Sequence, residues 1–189
     1  MDVIAEIASN WEGDLKIARK LILESKRAGA SAVKFQMWRA KDLYDEKHPD
    51  WSIIKKSEMT FTKAESIKKI SDEAEIEFFC SAFYPEAVDF LESIGVQKYK
   101  VASRTCLFKD PFAYDVLLKK ANTGKKIIIS MGMGGNKQKI EKIFRKNKPT
   151  FCYCISDYPT LIEKINWETK ILCRIFSENE ISNFQKILK

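Results

Sequence analysis

Short runs rich in β-branched and aromatic residues alternate along this chain with longer segments whose apolar residues recur at three- and four-residue steps. Val3–Ile7, Ala32–Gln36, Glu77–Ser81, Lys98–Ala102, Lys126–Ser130 and Thr150–Ile155 have the length and composition of strands. Leu15, Ala18 and Ile22 form one helical stripe, ended by Gly29 where a left-handed residue closes a helix. Ile67, Ile70 and Ala74 form a second, opened by Thr62 with Glu65 three residues on, the pattern of a capping box. Val88 and Leu91 mark another between Pro85 and Gly95, and Ile140, Ile143 and Phe144 one more, with Asn136 placed to cap it. A weaker strand over Ile171–Ser177 and a last helix through Ile181, Phe184 and Leu188 complete the series.

Strand and helix follow one another without hairpin turns, which predicts parallel strands joined by right-handed crossovers. An open doubly wound sheet and a (β/α)8 barrel both satisfy that rule. After the first strand the chain runs IAEIASNWEG, without the glycine fingerprint of a dinucleotide-binding sheet. The strand ends carry polar side chains instead, among them Glu6, Lys34, Ser81, Lys100 and Ser130, where barrel enzymes keep their chemistry. The expectation is one α/β domain over residues 1–189, a TIM-type barrel that is incomplete, with about seven βα units and the eighth strand missing. A long insertion, Met37–Met59, follows the second strand, on the side where active-site loops lie.

Composition removes several classes. With 45% hydrophobic residues, including twelve Phe and four Trp, the chain can bury one core and is not a disordered sequence. No run approaches the ~18 apolar residues that span a bilayer. The start, MDVIAEIASN, lacks the basic opening of a secretory leader, so a soluble cytoplasmic protein is expected. Five cysteines, an odd number lying mostly in strand runs, predict reduced buried thiols and no disulfide framework. The net charge of +7 is spread over helices and interleaved with Glu, and no nucleic-acid motif accompanies it. Such a balance suits an anionic small substrate.

Lys34 and Lys100 interrupt otherwise apolar strands, where an ammonium without compensation is costly. Two cations with the hydroxyls of Ser81, Ser103 and Ser130 make a phosphate site. Glu6, flanked by Ile4, Ala5 and Ile7, is a candidate acid/base or orienting group. A Schiff-base aldolase with Lys34 or Lys100 as nucleophile uses the same residues differently.

The segments IAEIASNWEGDLKIARKLI, AGASAVKFQ, FFCSAF, KVAS, SMGM and CISDYPT resemble, in order and spacing, the barrel domain of the N-acetylneuraminate (sialic acid) synthase family. The resemblance covers about residues 3–160. It implies a transferase of carbohydrate biosynthesis that joins phosphoenolpyruvate to an N-acyl-mannosamine-type sugar aldehyde, giving a nonulosonic acid. It places phosphoenolpyruvate on Lys34, Ser81, Lys100, Ser103 and Ser130, the reacting centre at Glu6, and the sugar beside Gln36 and Tyr158. Asn10 belongs to the same motif set, and Ser81 stands where the family often has Thr.

Departures from the family pattern define the alternative. Trp11 replaces a His in the first loop and Met131 replaces a Thr. The resemblance implies manganese held by two histidines, but the chain has one, His48, in the insertion, and Asn179 falls at the first ligand position. No metal ligand is therefore assigned. The family's C-terminal antifreeze-like domain is expected to be missing. A truncated barrel that binds phosphoenolpyruvate or a phosphosugar without metal-dependent catalysis is the second expectation. Its unpaired sheet edges would favour a homodimer or a complementing chain.

Overall fold

Six strands lie side by side in chain order, each parallel to the next, in a computed structural model that describes residues 2–157, 161–164 and 172–173. They are β1 (Ile4–Ala8), β2 (Ala32–Met37), β3 (Glu77–Ala82), β4 (Lys98–Val101), β5 (Lys126–Ser130) and β6 (Thr150–Cys154). Two further residues, β7 (Leu172–Cys173), pair with Tyr153 and Cys154. Sequential parallel order is that of a TIM-type barrel, and the described strands form a curled half of one. Of the seven expected strands, six are established in full. The seventh, expected over Ile171–Ser177, is described at two residues, and the expected last helix lies outside the described residues.

The crossovers are helical for local reasons. Asp14 caps α1 (Leu15–Arg27) by accepting from the Lys16 amide at 2.7 Å, and Gly29 leaves it at φ +87°. Pro85 opens α5 (Pro85–Ser93) at a position where its missing N–H costs nothing. Asn136 caps α7 (Lys137–Ile143) through the Lys139 amide at 2.9 Å, as its place in the sequence predicts. The insertion is not featureless: it holds α2 (Ala40–Leu43) and α3 (Trp51–Lys56). The helix after it, α4 (Phe61–Glu73), starts before the expected capping box. Its N-cap is Thr60, whose hydroxyl accepts from Lys63, and Phe61 stacks on Phe90 at 4.4 Å. Aromatic packing thus fixes the helix start ahead of the Thr62–Glu65 pattern. A 3₁₀ turn (Ser103–Leu107) and α6 (Ala113–Asn122) follow β4.

The two-residue period of each strand sorts side chains between two environments. Val33, Phe35, Phe78, Tyr99, Val101 and Ile129 face the helices and, with Ile22, Ile67, Leu91 and Leu117, make the main core. On the other face Ala32, Phe79 and Ile128, with Cys152 against them, form a small apolar floor inside the curl. Polar residues of the same strands stand on that inner face, nearer the C-terminal ends. Among the described residues, no helix is long and apolar enough to cross a membrane.

The first turn after β1 holds its shape by close approach. A bulge between Glu6 and Ala8 breaks the β1–β2 register, and Ala8, Glu12 and Gly13 take positive φ. Gly13 is at φ +73° with the Lys56 carbonyl oxygen 1.9 Å from where a Cβ would sit, so only glycine fits between the loop and α3. Trp11, fully buried in this loop, meets Phe35 edge-on with ring centres 6.4 Å apart.

Candidate functional site

Glu6 and Lys34 are paired positions on β1 and β2, and their side chains meet on the inner face. Glu6 Oε2 lies 2.5 Å from Lys34 Nζ, which also donates to Ser81 Oγ at 3.3 Å from β3. Lys34 and Ser81 are buried, whereas the Glu6 side chain keeps 23% of its surface exposed. The second carboxylate oxygen, Oε1, is buried without a hydrogen-bond partner among the described residues. Gln36, half-buried, stands level with Ser81 in the β2–β3 register.

A second group lies on the next two strands. Lys100 of β4, buried, donates to Ser130 Oγ of β5 and to the Val101 carbonyl at 2.9 Å. Ser103 does not join these contacts: its hydroxyl accepts from the Gly132 amide at 3.1 Å, tying the 3₁₀ turn to the loop after β5. That loop is tight. A Cβ on Gly132 would lie 2.6 Å from Ser156 Oγ and 2.9 Å from Cys154 Cβ. Tyr158, expected on the sugar side, lies outside the described residues.

A third lysine enters from behind. Lys120, in the last turn of α6, is fully buried and donates to the carbonyls of Ala82 at 2.8 Å and Lys100 at 3.1 Å. Burial, and then the charge of Lys100, bring its ammonium down to about 7. Sequence reasoning misses it, because Lys119–Lys120 at a helix C-terminus has the look of solvated charge complementing the dipole. Lys119 behaves that way, reaching Asp89 of α5 in the open.

The thiols around the site are inert by burial. The Cys80 thiol is pushed up to about 12, with Lys34 opposing that shift, and Cys106 up to about 11, with Lys100 opposing it. Cys80 and Cys106 are buried free thiols, whereas Cys152 and Cys154 on β6 are only half-buried.

Among the described residues the buried ionisable amines are Lys34, Lys100 and Lys120, and the carboxylate beside them, Glu6, is half-buried and paired with Lys34. Cation and hydroxyl alternate from strand to strand, a set of donors that can bind the oxygens of an anion.

For manganese the fit is different. Among the described residues no group of three His, Cys, Asp or Glu side chains is placed to hold a metal ion. His48 is exposed and its Nδ1 accepts from the Asp50 amide at 3.1 Å. Asn179 lies outside the described residues. The described side chains form no cage for that ion.

A model of the NeuB family matches residues 21–172. The chain belongs to the NeuB family. Human N-acetylneuraminate-9-phosphate synthase is 30% identical over 182 residues, covering 87% of this chain and 49% of that protein. N,N'-diacetyllegionaminic acid synthase of Legionella pneumophila is 28% identical over 174 residues, covering 85% and 47%. Among solved structures, N-acetylneuraminic acid (sialic acid) synthetase of Leptospira borgpetersenii serovar Hardjo-bovis shares the fold with a TM-score of 0.75 at 30% identity, covering 87% of this chain and 57% of that one. This NeuB-family chain spans about half the length of the curated relatives it matches. The family resemblance carried by the six motifs is thus established.

Proposed function

We propose that this chain binds phosphoenolpyruvate on the inner face of its half-barrel and joins it to the open-chain aldehyde of an N-acyl-mannosamine-type sugar. The observation that carries this reading is the pair of buried lysines, Lys34 and Lys100, presented beside hydroxyls at the strand ends. Lys34 and Ser81 hold one edge of the phosphate or carboxylate, Lys100 and Ser130 the other. Ser103, through Gly132, sets the loop that borders them. Gln36 and Tyr158 line the sugar side.

In the reaction, the terminal methylene carbon of phosphoenolpyruvate attacks the aldehyde carbon, leaving a cation at the enol carbon that bears the phosphate oxygen, and the aldehyde oxygen takes up a proton. Water adds to the resulting cation at the former enol carbon and loses a proton. The bond from that carbon to the phosphate oxygen breaks, leaving a 2-keto acid and inorganic phosphate. Glu6 is suited to handle a proton here: Lys34 anchors one of its oxygens, and the other, Oε1, has no partner of its own among the described residues. Lys34 Nζ is engaged by Glu6 and Ser81, whereas a Schiff-base nucleophile needs a free, neutral amine.

The test is thermal unfolding with phosphoenolpyruvate, with and without manganese, followed by phosphate release over a panel of N-acyl-mannosamine-type sugars. Ligand at ~100 times its dissociation constant stabilises the fold by about 2.7 kcal/mol. The reading requires a shift that Lys34→Ala and Lys100→Ala both abolish, and phosphate release with at least one sugar. A shift without release on any sugar would assign a binding chain instead, and no shift in a cooperatively melting protein would refute the site.

A further inference from the structure

β3 and β4 pair at Cys80↔Tyr99 and at no other position along their described lengths, although β2 and β3 pair at six positions and β4 and β5 at four. Just beyond that single pair each strand carries a residue of the anion site: Ser81 on β3, Lys100 on β4. The ammonium of Lys120 donates to the Ala82 and Lys100 carbonyls and so ties the two strand ends together past their last ladder pair. One acceptor is the carbonyl of Lys100 itself, and the other belongs to the residue after Ser81.

We propose that Lys120 is a positioning residue of the anion site: it bridges the C-terminal ends of β3 and β4, fixes the spacing between Ser81 and Lys100, and adds a positive charge behind the bound anion. The inference rests on the phosphoenolpyruvate reading given above. The groups that face Lys120 are Lys100 from β4, Cys80 from β3, Cys106 from the 3₁₀ turn and Lys34 from β2. The thiols stay neutral near pH 7 because burial raises both. With an ammonium that titrates at about 7, Lys120 is the group there that changes charge near neutrality. A bound dianion favours its protonated form, so binding above pH 7 draws a proton onto the protein. A strut with no part in anion binding would affect stability alone.

Isothermal titration of the whole chain with phosphoenolpyruvate at pH 8, in two buffers of different ionisation enthalpy, reads this proton. The free ligand is fully ionised at that pH, so uptake comes from the protein. The wild type should take up roughly half a proton per ligand bound. Lys120→Met and Lys120→Gln should take up none and bind about tenfold more weakly at pH 6, where the wild-type charge is in place. Where neither variant folds, wild-type uptake alone decides: binding without uptake overturns the inference. So does undiminished uptake in a folded variant. Lys34→Ala separates the two levels of argument. Binding that Lys34→Ala abolishes while the Lys120 variants match the wild type refutes the role of Lys120 and leaves the site standing. A wild type that does not bind phosphoenolpyruvate refutes both.

Discussion

Glu6 and Lys34 occupy directly paired positions on neighbouring parallel strands, with Oε2 2.5 Å from Nζ, and only the carboxylate retains some exposure. The lysine is therefore held from one side by Glu6 and from the other by Ser81, while Glu6 Oε1 remains for another partner. An acid beside an anion-binding lysine weakens anion affinity, so its presence in an otherwise cationic interior points to a role in the reaction rather than in binding.

Glu6→Gln separates those roles. The amide keeps the shape and removes the negative charge next to Lys34, so phosphoenolpyruvate should bind as tightly as to the wild type or more tightly. Phosphate release should fall by about 10²–10⁴-fold. In the absence of ligand the variant should lose about 3 kcal/mol in urea unfolding, because Lys34 then lacks its carboxylate. Tighter binding with lost turnover, measured by titration and by phosphate assay, is the expected signature. Loss of both together would make Glu6 a structural residue.

Stability of the unliganded chain should depend on pH in two opposite ways. Lys120 titrates at about 7 in the folded chain against 10.5 when unfolded, so between these values the unfolded chain holds a proton that the folded one has released. Stability then rises with pH by up to about 1.4 kcal/mol per unit above pH 7, and this gain is lost as pH falls through 7. Above 9.0, the ordinary thiol value, the sign reverses: Cys80 and Cys106 keep their protons in the folded chain up to about 12 and about 11. Urea midpoints from pH 6.5 to 10 should therefore peak near pH 9. In Lys120→Met the rising limb should vanish.

Thiol labelling should follow burial. Cys80 and Cys106 are buried and raised, whereas Cys152 and Cys154 on β6 are half-buried. At pH 7.5 an alkylating reagent should modify neither Cys80 nor Cys106 until the chain is unfolded, as peptide mass spectrometry would show. Labelling of either in the native chain would contradict the packing of β3 or of the turn after β4.

Gly132→Ala should damage binding more than stability. Its Cβ would meet Ser156 Oγ and Cys154 Cβ, displacing the loop and breaking the bond from the Gly132 amide to Ser103. The loop is near the surface, so the folding cost should be about 1–2 kcal/mol. Phosphoenolpyruvate affinity should drop by about tenfold, the equivalent of one charge-assisted bond. Equal affinity in the variant would free Ser103 and Gly132 from any part in the site.

Much of this arrangement is legible in the sequence because a strand has a fixed two-residue period. Once six parallel strands are placed, Glu6, Lys34, Gln36, Ser81, Lys100 and Ser130 fall on one face whatever the helices do. Local chemistry likewise determines the caps at Asp14 and Asn136, since each needs only a side-chain oxygen within three residues of a free amide. The start of α4 escapes this logic. Thr60 and Thr62 are equally able to cap, and the stacking of Phe61 on Phe90, a contact between distant segments, decides between them.

Ser103 and Lys120 show the same limit at the site. Motif order puts Ser103 with the phosphate hydroxyls, and only the 3₁₀ turn brings its oxygen to the Gly132 amide. Lys119 and Lys120 are adjacent and chemically identical; helical spacing puts Lys120 on the face of Val116 and Leu117, but no local pattern tells what that face meets. Docking α6 over the ends of β3 and β4 turns one lysine to Asp89 in solvent and the other to two strand carbonyls. The sequence alone determined which strands carry the cations, because periodicity is local. Tertiary packing alone decided that a third cation stands behind them, because burial depends on what other segments bring to the same place.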